Sequence, residues 1–233
     1  YRLFSIDLTR DKLYERINLR VDEMIKIGLP AGIQSVLFSF SNTLIQSSIN
    51  SFGSIVVAGN TAAQNLTSFI STSVAAVQTS TITFTSQNYG GRKYKRLGKV
   101  FCTAELMVFV IGVIIGGIVL LFSSQLLTLY TTDPQVIEIG KIRLQILCCT
   151  YFLCGMMEVG SAAMRGIGYS MLPTVVTLIG SCAFRVLWVV TVFQKIHTLE
   201  YLYWSYPISW GLTFLAHLIC FLFVYKTKLK PNE

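Results

Sequence analysis

Between Ile27 and Gly91 the sequence contains no Asp, Glu, Lys or Arg, a run of 65 residues. A water-soluble domain covers its surface with charged side chains, which make up about 25% of ordinary globular proteins. Here they make up 13% of the chain, against 53% hydrophobic residues. This balance argues against a soluble enzyme and a nucleic-acid-binding domain, and the apolar content argues against disorder. We therefore predict that the lipid bilayer is the main partner of the chain, with no nucleic acid.

Six stretches are long and apolar enough to cross a membrane. A hydrocarbon core about 30 Å thick needs about 20 helical residues, and backbone groups inside lipid must be hydrogen-bonded internally, which favours helices. The predicted spans are 26–50, 54–85, 98–123, 136–163, 171–193 and 201–225. The predicted fold is thus an all-α polytopic membrane protein. An amphipathic linker at 1–25 precedes a six-helix domain at 26–226, and a tail at 227–233 follows it.

The basic residues lie mostly on one side of these spans. The N-terminal segment, the loop at 92–99, the turn at 164–170 and the C-terminus together hold fifteen of them. The opposite side holds three, Lys141, Arg143 and Lys195. Because cytoplasmic loops carry an excess of Lys and Arg, both chain ends are predicted to be cytoplasmic. The outer interface would then carry an aromatic cluster, Tyr201, Tyr203, Trp204, Tyr206 and Trp210.

The chain begins with Tyr1 rather than Met, and a charged stretch rather than a signal peptide follows. We therefore expect it to be the C-terminal part of a longer polypeptide that crosses a plasma membrane several times, with the bacterial inner membrane as the expected location. The six cysteines fall within predicted spans and show no metal-ligand spacing with the two histidines. We expect no metal and no cofactor.

The first two predicted spans are unusually polar. Residues 35, 39, 42, 46 and 50 are polar and recur every three or four positions, which places them on one helical face, and residues 61–86 include twelve Ser or Thr. Such faces are costly against lipid and should turn inward. Hydrogen bonding between helices is one interpretation of the hydroxyl groups, whereas the amides favour a cavity lining. The candidates for the cavity are Gln34, Asn42, Gln46, Gln64 and Gln78.

Two ionisable residues, Glu158 and Arg185, lie deep inside predicted spans. A charge at mid-membrane costs about 2.5–3.5 kcal/mol on insertion scales, so each requires a partner or a function. Glu158 is the candidate for binding a proton or another ion, and Arg185 is predicted to be a buried charge. The alternative is that these two residues neutralise each other. Glu105, nearer the cytoplasmic side, is expected to reach the interface or a loop cation.

Four motifs, in order along the chain, resemble those of the multidrug and toxic compound extrusion (MATE) transporters. They are KIGLPAGIQ at 26–34, SQNYGGRK at 86–93, MRGIGYSMLP at 164–173 and the arginine of CAFRVLW at 182–188. The family has twelve helices in two six-helix lobes. The resemblance implies that this chain is the second lobe, and that its partner is the missing N-terminal lobe of the same polypeptide.

The resemblance also implies the function. The family exports organic cations and other toxic amphiphiles in exchange for Na⁺ or H⁺, by alternating access between the lobes. Several members carry a Glu in the seventh helix and an Asp in the tenth as cation ligands. Phe38 stands at the position that matches the Glu, and the tenth helix offers Glu158 at a different place from the Asp. A flippase for lipid-linked oligosaccharides, from the wider superfamily, is the alternative and would be expected to show more cavity charge. A membrane enzyme would need clustered histidines and carboxylates, which this pattern does not provide.

Overall fold

The computed structural model describes residues 10–229, in which seven helices follow one another and no strand occurs. The helices are α1 Arg10–Asn50, α2 Ser54–Gly90, α3 Tyr94–Leu121, the short α4 Ser123–Thr128, α5 Pro134–Gly166, α6 Met171–Phe193 and α7 Leu199–Val224. Two stretches of α6 have π-helical hydrogen bonding, Leu178–Ala183 and Val189–Phe193. The helical architecture agrees with the fold class that the sequence predicts.

The turns between helices use residues suited to sharp reversals. Gly53, between α1 and α2, has a φ of 95°, and Gly168, after α5, has a φ of 90°, a region that side chains with a Cβ rarely adopt. At the start of α5 the Asp133 carboxylate accepts a hydrogen bond from the backbone N–H of Gln135 at 2.9 Å. Pro134 then occupies the first helical position, where no N–H is needed. These features fix the points at which the chain turns back on itself.

Four helical stretches are apolar and long enough to cross a membrane by length and composition: Tyr94–Leu121, Pro134–Gly166, Met171–Phe193 and Leu199–Thr227. The helices α1 and α2, which carry the polar runs, fall below that standard, so the division into six spans stays a prediction. The linker predicted at 1–25 is continuous with the first predicted span from Arg10 onward, because α1 has no break. Residues 1–9 and 230–233, including most of the predicted tail, lie outside the described part.

Helix α5 is the centre of the domain, with α2, α3 and α7 packed around it. Glycines allow α3 to approach α5 closely. A Cβ on Gly112 would lie 2.9 Å from the Cα of Phe152, and one on Gly116 would lie 2.7 Å from the carbonyl oxygen of Cys148. Small residues that let backbones approach closely are typical of membrane helix interfaces.

The outer surface of the helices around α5 is apolar. Exposed large side chains cover one face of α3: Leu106, Met107, Phe109, Val110, Val113, Ile114, Ile118 and Leu121. Leu121, for example, is 80% exposed. A continuous apolar face of this size would be unfavourable in water. It therefore fits contact with lipid.

Candidate functional site

An open cavity of about 440 Å³ lies among α1, α2, α5, α6 and α7. Its uncharged polar lining residues are Asn42, Thr43, Gln46, Gln64, Thr67, Ser68 and Ser71. Its remaining lining residues are Phe38, Arg143, Leu147, Tyr151, Cys154, Arg185, Tyr206 and Trp210. The described residues that line this cavity include two arginines and neither Asp nor Glu. Pockets of this size hold small organic ligands.

The polar face of α1 contributes its amides to this cavity. Gln46 donates a hydrogen bond to the Asn50 side chain at 3.1 Å and accepts one from the Asn60 amide of α2 at 3.3 Å. Asn42, one turn earlier, accepts a hydrogen bond from Arg185 at 3.2 Å. The four-residue spacing in the sequence therefore places both amides on the cavity side. The side chain of Gln34, which was predicted to join them, lies outside the described part.

Arg143 lies inside the bundle and is only 5% exposed. Its guanidinium group donates hydrogen bonds to the side-chain oxygen of Asn60 and, at 3.5 Å, to that of Gln64. The Tyr203 hydroxyl donates to the same Asn60 oxygen at 3.1 Å, and the Tyr203 ring centre lies 5.6 Å from the guanidinium carbon. Arg143, which the sequence pattern placed among the charges of the outer side, is therefore buried within the bundle rather than exposed in a loop. It is buried because two other helices supply its partners.

Arg185 is held in a second network and is 1% exposed. Its Nε donates to the Ser209 hydroxyl at 3.0 Å, and its Nη1 donates to Asn42. Three aromatic ring centres surround the guanidinium carbon at distances between 4.4 and 5.9 Å, those of Tyr206, Phe38 and Trp210. The buried charge predicted from the sequence is present. Its hydrogen bonds go to an amide and a hydroxyl rather than to Glu158, the partner that the alternative interpretation gave it.

The aromatic cluster of α7 is divided between surface and interior. Tyr201 and Trp204 are exposed, in keeping with the interface predicted for them, whereas Tyr203 and Trp210 are buried. Tyr206 faces the cavity together with Trp210, and their ring centres are 5.7 Å apart. The prediction of an interface position was therefore wrong for Tyr203, Tyr206 and Trp210. One helix with a period of 3.6 residues cannot present five closely spaced aromatic rings on one face.

A hydrogen bond joins Gln78 of α2 to Glu158 of α5. The Gln78 amide donates a hydrogen bond to the Glu158 carboxyl group at 2.6 Å. Neither residue is among the described residues that line the cavity. Glu158 follows the lining residue Cys154 by four positions, so it lies about 6 Å further along α5. Gln78 is thus a partner of Glu158 rather than part of the cavity wall.

Glu105 lies in the interior of the domain with 8% of its surface exposed. Neither carboxyl oxygen has a hydrogen-bond partner among the described residues. The expectation that this side chain reaches a loop cation was wrong, because α3 turns it toward the interior rather than the surface. Among the described residues, no group of three or more His, Cys, Asp or Glu could hold a metal ion.

The family model MatE matches residues 30–191, well over half of the chain. The chain belongs to the MatE family. A relative from Bacillus subtilis, the probable multidrug resistance protein YoeA, is 26% identical over 207 residues, which are 88% of this chain and 44% of that protein. A relative from Shewanella oneidensis described as a FAD transporter is 23% identical over 70% of this chain and 36% of its own length.

Solved structures of the MatE family have the same fold as this chain. A mutant of the Vibrio cholerae MATE transporter VcmN has a TM-score of 0.83 at 17% identity, over 91% of this chain and 49% of that one. The chain thus spans about half the length of its relatives and matches one lobe. Members of the family are multi-pass membrane transporters and not enzymes.

Proposed function

We propose that this chain is the C-terminal lobe of an antiporter that exports small organic compounds across the plasma membrane in exchange for Na⁺ or H⁺. The observation that carries the proposal is the open polar cavity among five helices, lined by Asn42, Gln46 and Gln64, in a domain whose α3 presents an exposed apolar face. The names of the relatives support small-molecule transport, because one is a multidrug resistance protein and another a FAD transporter.

The partner in this mechanism is an N-terminal lobe of similar size. The relatives are about twice as long as this chain, which supports a second six-helix body. In alternating access, two bodies move around a shared site and expose it to one side of the membrane at a time. The excess of Lys and Arg on one side supports cytoplasmic chain ends. In bacteria the membrane would be the inner one.

The candidate for the coupling ion is Glu158. A carboxyl group inside a membrane domain marks an ion or proton pathway by default. Its hydrogen bond from Gln78 holds one oxygen, and its position about one helical turn beyond Cys154 places it near the cavity without being in its wall. Helix α5 carries both Glu158 and the cavity residue Arg143. A change in the conformation of α5 would therefore alter ion binding at Glu158 and substrate binding in the cavity together.

The test of this proposal is transport by the two-lobed protein in proteoliposomes. Under an imposed Na⁺ or H⁺ gradient, we expect net movement of dyes from a panel that includes cationic and anionic compounds. Glu158→Gln is expected to reduce gradient-driven transport at least tenfold, which corresponds to about 1.4 kcal/mol. The matched control is Glu138→Gln, which removes an exposed acid from the same helix.

Two outcomes would contradict the proposal at different levels. If no dye moves under either gradient, the chain is not part of an antiporter for such compounds. If transport proceeds but Glu158→Gln leaves both its rate and its dependence on pH and Na⁺ unchanged, Glu158 has no coupling role and the ion binds elsewhere.

A further inference from the structure

The described residues that line the cavity carry positive charge without a matching acid. Arg143 and Arg185 are the charged residues among its described lining residues. Guanidinium groups stay protonated in proteins, so both charges are permanent. We propose that the cavity binds anionic amphiphiles, compounds that join a phosphate, sulfonate or carboxylate group to an aromatic ring, in preference to organic cations. This proposal rests on the proposed function and names its substrate class.

The hydrogen-bond partners that the described residues provide leave both charges uncompensated. Arg143 donates to the amide oxygens of Asn60 and Gln64, and Arg185 donates to Asn42 and to a serine hydroxyl. These acceptors are neutral, so they satisfy hydrogen bonds without cancelling the charge. A buried charge without a counter-ion carries a desolvation penalty that an opposite charge offsets. A cationic ligand in this cavity would meet two like charges instead.

Each guanidinium group also has donor capacity that its neighbours leave unused. The Nε of Arg143 and the Nη2 of Arg185 are buried, and neither has an acceptor among the described residues. Arginine binds phosphate and carboxylate groups through two parallel N–H donors, which gives both strength and orientation. An oxyanion near these groups would therefore supply the acceptors that the protein does not.

Glu158 does not change this assignment. It is about one helical turn beyond the lining residue Cys154, and its carboxyl group already accepts a hydrogen bond from Gln78. It is therefore positioned to influence the cavity from a distance rather than to contact a ligand there. Of the residues that the structure describes, those that would surround the ligand are the two arginines and neutral groups.

The same cavity provides surfaces for an aromatic ring. The ring centre of Trp210 lies 5.5 Å from that of Tyr151 and 5.7 Å from that of Tyr206. The Tyr206 ring centre is also 4.4 Å from the guanidinium carbon of Arg185. Aromatic surface thus borders positive charge within one cavity of about 440 Å³. This arrangement fits a ligand whose ring and anionic group are close together.

Three naphthalene compounds with the same ring and different charges test the assignment: 1-naphthyl phosphate, 1-naphthol and 1-naphthylmethylammonium. Their binding to the full chain, purified in a nonionic detergent, is measured by titration calorimetry against detergent alone. We expect the phosphate to bind about tenfold or more tightly than the ammonium compound, which is about 1.4 kcal/mol or more. Arg143→Gln and Arg185→Gln are each expected to weaken binding of the phosphate about tenfold.

Matched variants separate charge from packing. Lys141→Gln removes a positive charge from α5 at a position outside the cavity lining, and it is expected to leave all three affinities unchanged. Arg143→Lys and Arg185→Lys retain the charge and should preserve the preference for the phosphate, with reduced affinity because the paired donors are lost. Size-exclusion profiles establish that each variant remains folded.

The proposal is overturned if 1-naphthylmethylammonium binds the unsubstituted chain as tightly as 1-naphthyl phosphate does, or if none of the three compounds binds. It is also overturned if folded Arg→Gln variants bind the phosphate unchanged. The comparison of the three compounds needs no variant, so it decides the matter even where substitutions prevent folding. Binding to this chain is measured without transport, so a failure of antiport and a failure of anion recognition give different results.

Discussion

Asn60 connects α2 to three other helices, and its replacement tests whether neutral hydrogen bonds stabilise the charged interior. It is 1% exposed, accepts hydrogen bonds from Arg143 and Tyr203, and donates one to Gln46. Leu has a similar volume but removes all three bonds. Hydrogen bonds between membrane helices average about 0.6 kcal/mol and reach about 1.7 kcal/mol. With two neutral bonds near the average and the Arg143 bond near the upper value, Asn60→Leu should lower the free energy of unfolding by about 3 kcal/mol.

The measurement is equilibrium unfolding of the purified chain in mixed micelles, with SDS as the denaturant and far-ultraviolet circular dichroism as the signal. The matched control is Asn65→Leu. Asn65 is an exposed residue of the same helix, so its replacement should change the free energy of unfolding by no more than about 0.5 kcal/mol. A second variant, Tyr203→Phe, removes one neutral bond and should cost about 0.6 kcal/mol.

One result would refute the reasoning. Suppose that the free energies of unfolding of Asn60→Leu and of Asn65→Leu both lie within about 0.5 kcal/mol of that of the unsubstituted chain. The three hydrogen bonds of Asn60 then make no net contribution to stability. Arg143 would then have to be stabilised by something other than neutral acceptors, and the argument that its charge remains available to a ligand would lose its basis.

Two further predictions concern the packing of α3 on α5 and the different roles of the Gln46 and Gln78 amides. Gly116→Leu should lower the free energy of unfolding by about 1–3 kcal/mol, because a Cβ there meets the α5 backbone. Gly117→Leu should leave the free energy of unfolding unchanged, because its Cβ position is open. Unfolding in SDS compares the two variants. Gln46→Ala should change the relative affinities of the three naphthalene compounds, whereas Gln78→Ala should leave them unchanged and alter the ion dependence of transport through Glu158. Calorimetry and proteoliposome transport check this pair, and the reverse pattern would contradict it.

The fold class and much of the cavity could be predicted because their determinants are local. A run of 65 residues without charge favours a membrane environment, and the four-residue spacing of Asn42 and Gln46 defines a polar helix face wherever that helix packs. The structure shows which helices lie opposite that face of α1 and complete the cavity, namely α2, α5, α6 and α7.

The sequence did not predict the burial of Arg143 or the position of Gln78 outside the cavity wall, because the environment of each depends on distant parts of the chain. Arg143 follows Lys141 by two positions and looks like another flanking cation, and only Asn60 and Tyr203 on other helices make its burial favourable. Gln78 shares a face of α2 with Gln64, but further along that helix α5 closes over it. There the Gln78 amide donates its hydrogen bond to the Glu158 carboxyl group of α5 at 2.6 Å. No periodicity in α2 alone indicates where a second helix approaches.

The two proposals together constrain how exchange would operate. An anion in the cavity and a cation or proton at Glu158 attract each other, by about 2 kcal/mol for unit charges about 8 Å apart at an effective dielectric constant of about 20. Electrostatics alone therefore favours joint occupancy, whereas antiport requires that joint occupancy be avoided. The ion and the substrate must then bind preferentially to different arrangements of the lobes, with a difference in free energy larger than this attraction. Arg143 and Glu158 both lie on α5, so the distance between the two sites is fixed along one helix. Exchange in such a transporter therefore depends on the preference of the ion and the substrate for different arrangements of the lobes.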